Sequence, residues 1–363
     1  MTTHGGDVWQ VAEELGIPAS ELLDFSANIN PRGLPPRAME RLVRDASDRR
    51  LLTLYPDPSA RRLRKSLSEH LSITENSIAA GPGAEALLAP ILRSLQVQRV
   101  LVPIPAFSEY RRVCAQQNIE CVLFPLERSQ CFRVSSDRLC RTIEAENCDV
   151  VLLNNPHNPS GAMLHADEVR RVLDATRSSG SMLLLDEAFI DYASHETLAR
   201  EAAAQTGLVV LRSLTKFYGC PALRVGYAVA HPDTIRLIAA LLPTWPVTQL
   251  ALDALTEAIM DSEYAEASLA ENAAERDSLS QSLATLGLVV FPSAANYLLL
   301  ELASGMPKSS ELRMSLLRKH RILIRNCDSY EGLTSGRYVR VAVRSAAENS
   351  LLMQALAAQL RPQ

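Results

Sequence analysis

Short apolar runs alternate with longer amphipathic stretches along the middle of the chain, from about Ile78 to Ala230. Two of these runs, Val150–Leu153 and Met182–Leu185, are continuously apolar, which is typical of strands buried on both faces. The stretches between them have the length and periodicity of helices. This pattern predicts an α/β fold with a mostly parallel seven-stranded sheet. The predicted strands are Ser77–Ala80, Arg99–Pro103, Cys121–Phe124, Val150–Asn154, Met182–Asp186, Leu208–Ser213 and Gly226–Ala230.

The two ends of the chain have a different pattern. Residues 1–35 hold one short predicted helix and an extended piece rich in Pro, Gly and Asn. A long helical region, about 247–286, is followed by short strands and two helices, which is typical of a smaller α+β unit. We therefore predict an N-terminal arm (1–35) that joins a small C-terminal domain (251–363), and a large domain (36–250) between them.

Composition excludes several classes of protein. The net charge of −4 lacks the basic excess of a nucleic-acid-binding protein. The longest apolar stretch is far shorter than the roughly 20 residues that cross a bilayer, and the N-terminus lacks the pattern of a secretory signal. Seven cysteines without a C-x-x-C motif indicate reduced thiols. We expect a cytoplasmic protein with no nucleic-acid partner, no membrane partner and no metal site.

Polar clusters follow four of the predicted strands. In an open α/β sheet, ligands bind beyond the carboxyl ends of the strands, so these clusters are expected to converge on one site. The clusters are Gly81–Gly83, Asn154–Gly161, Asp186–Phe189 and Ser213–Lys216.

Lysine is scarce in this chain, because only four of the 37 basic residues are lysines. A single lysine is usually a solvated surface group. Lys216, however, follows a strand and lies near Ser213, Thr215 and Arg224 in the sequence. An amine that loses its proton there can form a Schiff base with an aldehyde, which is the chemistry of pyridoxal phosphate.

The other clusters each allow a structural and a functional interpretation. Asp186 is either a turn or capping residue, or the acid that pairs with a protonated pyridine nitrogen. The Gly81–Gly83 segment is either a tight turn or a phosphate site at a helix start. Asn158 lies in a turn rich in Asn and Pro that suits the placement of a side-chain amide. Phe107 is either a core residue or a ring that stacks on an aromatic ligand.

Together the clusters resemble the signature series of fold-type-I pyridoxal-phosphate enzymes related to aspartate aminotransferase. Histidinol-phosphate aminotransferases share Tyr55-Pro-Asp-Pro58 and the general layout. Threonine-phosphate decarboxylases of cobalamin biosynthesis are more similar along the whole chain. The segments that carry this similarity are His4–Gly6, Asp24–Pro31, Arg212–Tyr218, Ala295–Leu300, Arg321–Cys327 and Tyr338–Arg344.

The resemblance implies a role for each site residue. Lys216 and Asp186 would be catalytic, with Lys216 binding pyridoxal 5'-phosphate covalently and Asp186 facing its ring nitrogen. Phe107 would stack on the ring, and Asn158 would lie near its phenolic oxygen and the substrate carboxylate. The cofactor phosphate would be held by Gly83, Ala84, Ser213, Thr215 and Arg224, with Tyr55 reaching the phosphate of a neighbouring subunit. The phosphorylated substrate would be bound by His4, Gly5, Asn28 and Arg325, and its carboxylate by Arg340.

The same resemblance implies an activity. It favours a homodimeric decarboxylase that converts L-threonine O-3-phosphate to (R)-1-aminopropan-2-yl phosphate for the cobalamin nucleotide loop. Decarboxylation of serine phosphate to ethanolamine phosphate and a histidinol-phosphate-type aminotransfer remain alternatives. From another class, a cofactor-binding regulator without catalysis is disfavoured by the intact Lys216, Asp186 and Arg224.

Overall fold

The computed structural model of the chain describes residues 5–360. Its strands, in chain order, are β1 (Leu23–Asp24), β2 (Ile78–Gly81), β3 (Arg99–Ile104), β4 (Glu120–Pro125), β5 (Val150–Asn154), β6 (Met182–Asp186), β7 (Leu208–Ser213), β8 (Gly226–Ala230), β9 (Val289–Val290), β10 (Tyr297–Glu301), β11 (Ile322–Leu323), β12 (Arg325–Asn326) and β13 (Tyr338–Ala342).

Helices connect and cover these strands. They are α1 (Val8–Leu15), α2 (Pro36–Ser47), α3 (Arg61–Leu71), α4 (Ala84–Ser94), α5 (Ser108–Gln116), α6 (Ser136–Glu146), α7 (Ala166–Ser178), α8 (Ala199–Ala204), α9 (Leu214–Phe217), α10 (Pro232–Ala239), α11 (Gln249–Ile259), α12 (Ser262–Thr285), α13 (Ser309–His320) and α14 (Ala346–Leu360).

The central sheet has seven strands in the order β2-β8-β7-β6-β5-β3-β4. Strand β8 runs antiparallel to both of its neighbours, and the other adjacent pairs are parallel. Successive residues of β5 alternate between two apolar clusters, with Val151 in one and Leu152 in the other. The strand is therefore buried on both faces, as its continuous apolar run predicts. The predicted α/β class and mostly parallel seven-stranded sheet are confirmed.

A second, antiparallel sheet follows in the C-terminal third, in the order β12-β13-β10-β9. Leu298, Leu300 and Val341 of this sheet share an apolar cluster with Leu312 of α13 and Leu352 of α14, so the smaller unit has the expected α+β character. Strand β1 of the N-terminal segment pairs in parallel with β11. The boundaries at residues 36 and 250 stay predictions.

The long helical region predicted over about 247–286 is interrupted. Helix α11 ends at Ile259, and α12 begins at Ser262. The Asp261 carboxylate accepts a hydrogen bond from the backbone N–H of Tyr264 at 3.0 Å. This N-cap starts a new helix, because it satisfies a donor that has no partner within the first turn. Within residues 5–360, no helix has both the length and the apolar composition that a membrane crossing requires.

Candidate active site

A cavity of about 230 Å³ opens at the carboxyl ends of β5, β6 and β7, next to the start of α4 and to β12 and β13. The structure brings most of the sequence-predicted site residues to its walls. They are Gly5, Asn28, Gly83, Ala84, Phe107, Asn158, Asp186, Ser213, Thr215, Lys216, Arg224, Arg325 and Arg340.

Two predicted residues are not among those around the cavity. Tyr55 is 77% exposed, and its ring stacks on Trp245 with the ring centroids 4.4 Å apart. This position gives Tyr55 no contact with the cavity of its own chain. His4 lies outside the described residues.

Lys216 lies in the short helix α9, which begins directly after β7. Burial, reinforced by the positive charges of Arg224 and Arg340 and opposed by the negative charge of Asp186, lowers the pKa of its amine to about 8. A buried ammonium group loses hydration that the protein replaces only in part, so the neutral amine becomes accessible near neutral pH. Lys216 is therefore suited to react with an aldehyde and to exchange a proton.

Asp186 is the last residue of β6 and is 6% exposed. One carboxylate oxygen accepts a hydrogen bond from the Tyr110 hydroxyl at 2.5 Å, and the other accepts one from the backbone N–H of Ala188 at 2.9 Å. Burial raises the pKa of Asp186, while these two bonds and the charge of Lys216 oppose that rise. The carboxylate is thus suited to face a cationic ring nitrogen, which would add a further opposite charge.

The start of α4 forms a narrow cradle with Arg224. Gly83 has φ of +100°, and a Cβ at this position would lie 2.8 Å from an Arg224 guanidinium nitrogen. A Cβ on Gly226 would lie 2.4 Å from the backbone nitrogen of Ala84. The hydroxyls of Ser213 and Thr215 are 2.8 Å apart where β7 passes into α9. Helix N–H groups, hydroxyls and a guanidinium together are the donors that a phosphate requires.

Two buried arginines form the opposite side of the cavity. Arg325 of β12 and Arg340 of β13 are direct partners in the antiparallel register, and they are 6% and 5% exposed. Arg340 donates to the Asn158 amide oxygen at 2.5 Å and to the Ser26 carbonyl at 2.9 Å. Like charges directly opposite each other on neighbouring strands are destabilising, so this pair favours a bound anion.

Two buried polar atoms of residues that line this cavity have no hydrogen-bond partner within residues 5–360. They are Nε of Arg340 and Oδ1 of Asn28. A buried polar group without a partner costs free energy, so such atoms mark positions where a ligand supplies the missing contact.

Six polar residues to which the sequence assigned no individual role also line the cavity: Ser26, Glu85, Ser108, Tyr110, Asn154 and Tyr330. Tyr330 donates to the Asn158 amide oxygen at 3.1 Å, and the Asn154 side chain accepts the backbone N–H of Asn158 at 2.6 Å. Tyr110 follows Phe107 by three residues, a helical spacing that could have identified it. Tyr330 is 172 residues from Asn158, and no local pattern indicates that contact.

The donor set fits pyridoxal phosphate. A reactive amine, a buried carboxylate, an aromatic side chain and a phosphate cradle surround one cavity, and each matches one part of that cofactor. In the part of the chain that the structure describes, no group of three His, Cys, Asp or Glu side chains is arranged to hold a metal ion.

Comparison with known proteins assigns the family. The model of the family "Aminotransferase class I and II" matches residues 20–358. The chain is 36% identical to threonine-phosphate decarboxylase of Salmonella typhimurium over 359 residues, covering 98% of this chain and 96% of that protein. It is 29% identical to histidinol-phosphate aminotransferase of Methanocaldococcus jannaschii, with coverage of 92% and 88%.

A solved structure of a threonine-phosphate decarboxylase has the same fold as this chain. The crystal structure of L-threonine-O-3-phosphate decarboxylase from Porphyromonas gingivalis superposes with a TM-score of 0.81 at 27% identity, covering 93% of this chain and 99% of that one. The chain therefore belongs to the aminotransferase class I and II family, whose fold-type-I enzymes use pyridoxal phosphate.

Proposed function

We propose that this chain is a pyridoxal-phosphate-dependent decarboxylase that converts L-threonine O-3-phosphate to (R)-1-aminopropan-2-yl phosphate and CO₂. The observation that carries the proposal is the buried pair Arg325 and Arg340 beside Lys216 and Asp186 in one cavity. Threonine phosphate carries a carboxylate and a phosphate in one small molecule, and guanidinium groups bind both by charge-assisted hydrogen bonds. The similarity to the Salmonella decarboxylase supports the same substrate.

In this proposal the anionic ends of the substrate are bound separately. Arg340 and Asn158, which already contact each other, bind the carboxylate. Arg325, Asn28 and Gly5 bind the phosphate, together with His4. Holding both ends restricts the rotation of the substrate about Cα and thereby determines which bond at Cα is presented for cleavage.

Lys216 and Asp186 act on the reacting centre. When bound, pyridoxal phosphate supplies an aromatic ring that withdraws the electron pair left at Cα after a bond there breaks. Asp186 holds the proton on the ring nitrogen by its negative charge. Lys216, whose pKa is lowered to about 8, carries a proton on Nζ and delivers it to Cα at the position that CO₂ leaves.

Product analysis of the holoenzyme with L-threonine O-3-phosphate tests the proposal. We expect stoichiometric CO₂ and 1-aminopropan-2-yl phosphate without any keto-acid acceptor. Amino transfer to a keto acid without release of CO₂ would reject decarboxylation and would favour the aminotransferase alternative.

The lowered pKa of Lys216 leads to a prediction for cofactor uptake. Only the neutral amine attacks an aldehyde, so the rate of covalent attachment of pyridoxal phosphate to the apoenzyme is expected to rise with pH and to level off near the pKa of about 8. Stopped-flow absorbance at a series of pH values measures this rate, with Nα-acetyllysine as the reference amine. A rate that still climbs about tenfold per pH unit well above pH 8, as for an ordinary lysine, would contradict the shift.

We also propose that the active unit is a homodimer in the cytoplasm. Tyr55 and Trp245 form an exposed stacked pair, and Leu52 and Leu54 nearby are 57% and 60% exposed. A clustered apolar surface of this kind favours a protein partner. All seven cysteines are free thiols, which suits a reducing compartment.

A hybrid dimer distinguishes a Tyr55 that serves its own chain from one that serves the partner. Lys216→Ala and Tyr55→Ala chains are co-expressed with different affinity tags, and the mixed dimer is purified. If Tyr55 acts across the interface, one site of the hybrid has both residues and regains activity, whereas each parent is impaired. A hybrid no more active than the Tyr55→Ala parent, or a fully active wild-type monomer in gel filtration, would contradict the proposal.

A further inference from the structure

The Asp186 carboxylate requires stabilisation as an anion, because it is buried at the end of β6. Each of its oxygens accepts one hydrogen bond, from Tyr110 and from the backbone N–H of Ala188. Among the described residues, Tyr110 is the only side chain that donates a hydrogen bond to this carboxylate. A hydrogen bond to the charged form favours that form.

The Tyr110 hydroxyl stays protonated and therefore remains a hydrogen-bond donor to Asp186. The side chain is 2% exposed, and burial together with the negative charge of Asp186 holds the pKa of its hydroxyl well above the ordinary value. The hydroxyl therefore stays protonated over the whole range in which the enzyme is expected to work. At 2.5 Å, its bond to Asp186 has the length of a charge-assisted O–H···O⁻ bond.

The first turn of α5 also connects this donor to the aromatic side of the cavity. The backbone N–H of Tyr110 donates to the carbonyl of Phe107 at 3.1 Å. The two rings meet edge to face, with centroids 5.6 Å apart and an angle of 86° between their planes. Phe107 lines the cavity in which the cofactor ring is proposed to bind, so one helical turn sets both the ring contact and the partner of Asp186.

We propose that Tyr110 is a positioning residue that keeps the Asp186 carboxylate ionised and oriented toward the ring nitrogen of pyridoxal phosphate. Tyr110 touches neither the substrate nor the reacting atoms in this role and acts only through Asp186. The inference rests on the proposed function insofar as the bound group is this cofactor.

The groups around Asp186 define the pH dependence that follows. Tyr110 faces it from α5, Lys216 from α9 and Tyr297 from β10, with the Ala188 N–H alongside. The Tyr110 bond is one of the contacts that lower the pKa of Asp186. Without it, the carboxyl protonates at a higher pH, and a neutral carboxyl does not form an ion pair with a protonated ring nitrogen.

The test measures the dissociation constant of pyridoxal 5'-phosphate from apoenzyme titrations followed by absorbance. Tyr110→Phe is expected to weaken cofactor binding roughly 10- to 100-fold, the value typical of a hydrogen bond to a charged group. The ratio of the variant's dissociation constant to that of the wild type is expected to grow as the pH falls from about 8 to about 6. Tyr192→Phe is the matched control, because the Tyr192 hydroxyl is buried without a hydrogen-bond partner in the described range, and its loss is expected to leave affinity unchanged.

A double-mutant cycle separates positioning from a general loss of structure. If Tyr110 acts through Asp186, Tyr110→Phe costs less than about threefold in affinity in an Asp186→Asn background. An equal loss in both backgrounds, or a dissociation constant independent of Tyr110→Phe, would overturn the positioning role. A wild-type apoenzyme that does not bind pyridoxal phosphate would instead overturn the proposed function.

Discussion

Replacing Lys216 by alanine is expected to abolish covalent attachment of pyridoxal phosphate and to lower the rate of decarboxylation by roughly 10²- to 10⁴-fold. The amine is the group that reacts with the cofactor aldehyde in the proposed function, and it is also the proton donor to Cα. Burial after β7, together with the positive charges of Arg224 and Arg340, lowers its pKa to about 8. Removing it takes away both roles at once.

Absorbance spectroscopy and product analysis of the same preparation check this result. Lys65→Ala is the matched control, because the Lys65 side chain is 68% exposed and its partner Glu69 lies 4.0 Å away on the surface of α3. The control is expected to keep the absorbance band of the bound cofactor and full activity. An unchanged band in Lys216→Ala would refute the assignment of Lys216 as the residue that binds the cofactor covalently.

Replacing Arg340 by alanine is expected to lower kcat/KM for threonine phosphate by roughly 30- to 5,000-fold, which corresponds to the loss of about 2–5 kcal/mol for truncating one partner of a buried charged pair. The Arg340 side chain is 5% exposed and bonds to Asn158, Tyr330 and the Ser26 carbonyl. Arg340→Lys keeps the positive charge but loses the planar guanidinium, which can bind a carboxylate through two parallel hydrogen bonds. We therefore expect a decrease in kcat/KM smaller than that of Arg340→Ala.

Arg337→Ala provides the comparison for the Arg340 variants. Arg337 directly precedes β13 and pairs with Glu301 rather than lining the cavity. Steady-state kinetics with threonine phosphate should show nearly wild-type kcat/KM for Arg337→Ala. Equal kinetics for Arg340→Ala and the wild type would show that the substrate carboxylate is bound elsewhere.

The strand ends explain why the centre of the site was predictable from sequence. Asp186 ends and Lys216 follows an apolar run that is typical of a buried strand, and adjacent parallel strands bring their carboxyl ends to one edge of the sheet. The structure places both residues on one cavity through β6 and β7, which are neighbours in the sheet. Local pattern and sheet topology together suffice for this part of the site.

The other side of the site depends on contacts between segments that are distant in the sequence, and hydrophobic periodicity does not indicate such contacts. Arg325 and Arg340 meet through the register of two short strands, and only the family resemblance indicates their role. The Tyr330 hydroxyl reaches Asn158 across 172 residues. Periodicity also does not indicate the break between α11 and α12, since both sides have helical periodicity and only the Asp261 cap separates them.

The candidate substrates differ in the anionic groups that Arg325 and Arg340 can bind. Histidinol phosphate has a phosphate but no carboxylate, so it would leave one of two buried cations without an anionic partner. Serine phosphate has both anions and lacks only a methyl group, a difference worth roughly 10- to 200-fold in an apolar pocket. We therefore expect activity to fall in the order threonine phosphate, serine phosphate, histidinol phosphate.

The central claim is tested most directly by product analysis of the holoenzyme with threonine phosphate, serine phosphate and histidinol phosphate in parallel, each with and without 2-oxoglutarate. The predicted result is CO₂ and 1-aminopropan-2-yl phosphate from threonine phosphate at the highest kcat/KM, independent of 2-oxoglutarate. Consumption of 2-oxoglutarate with histidinol phosphate, and no CO₂ from threonine phosphate, would contradict it.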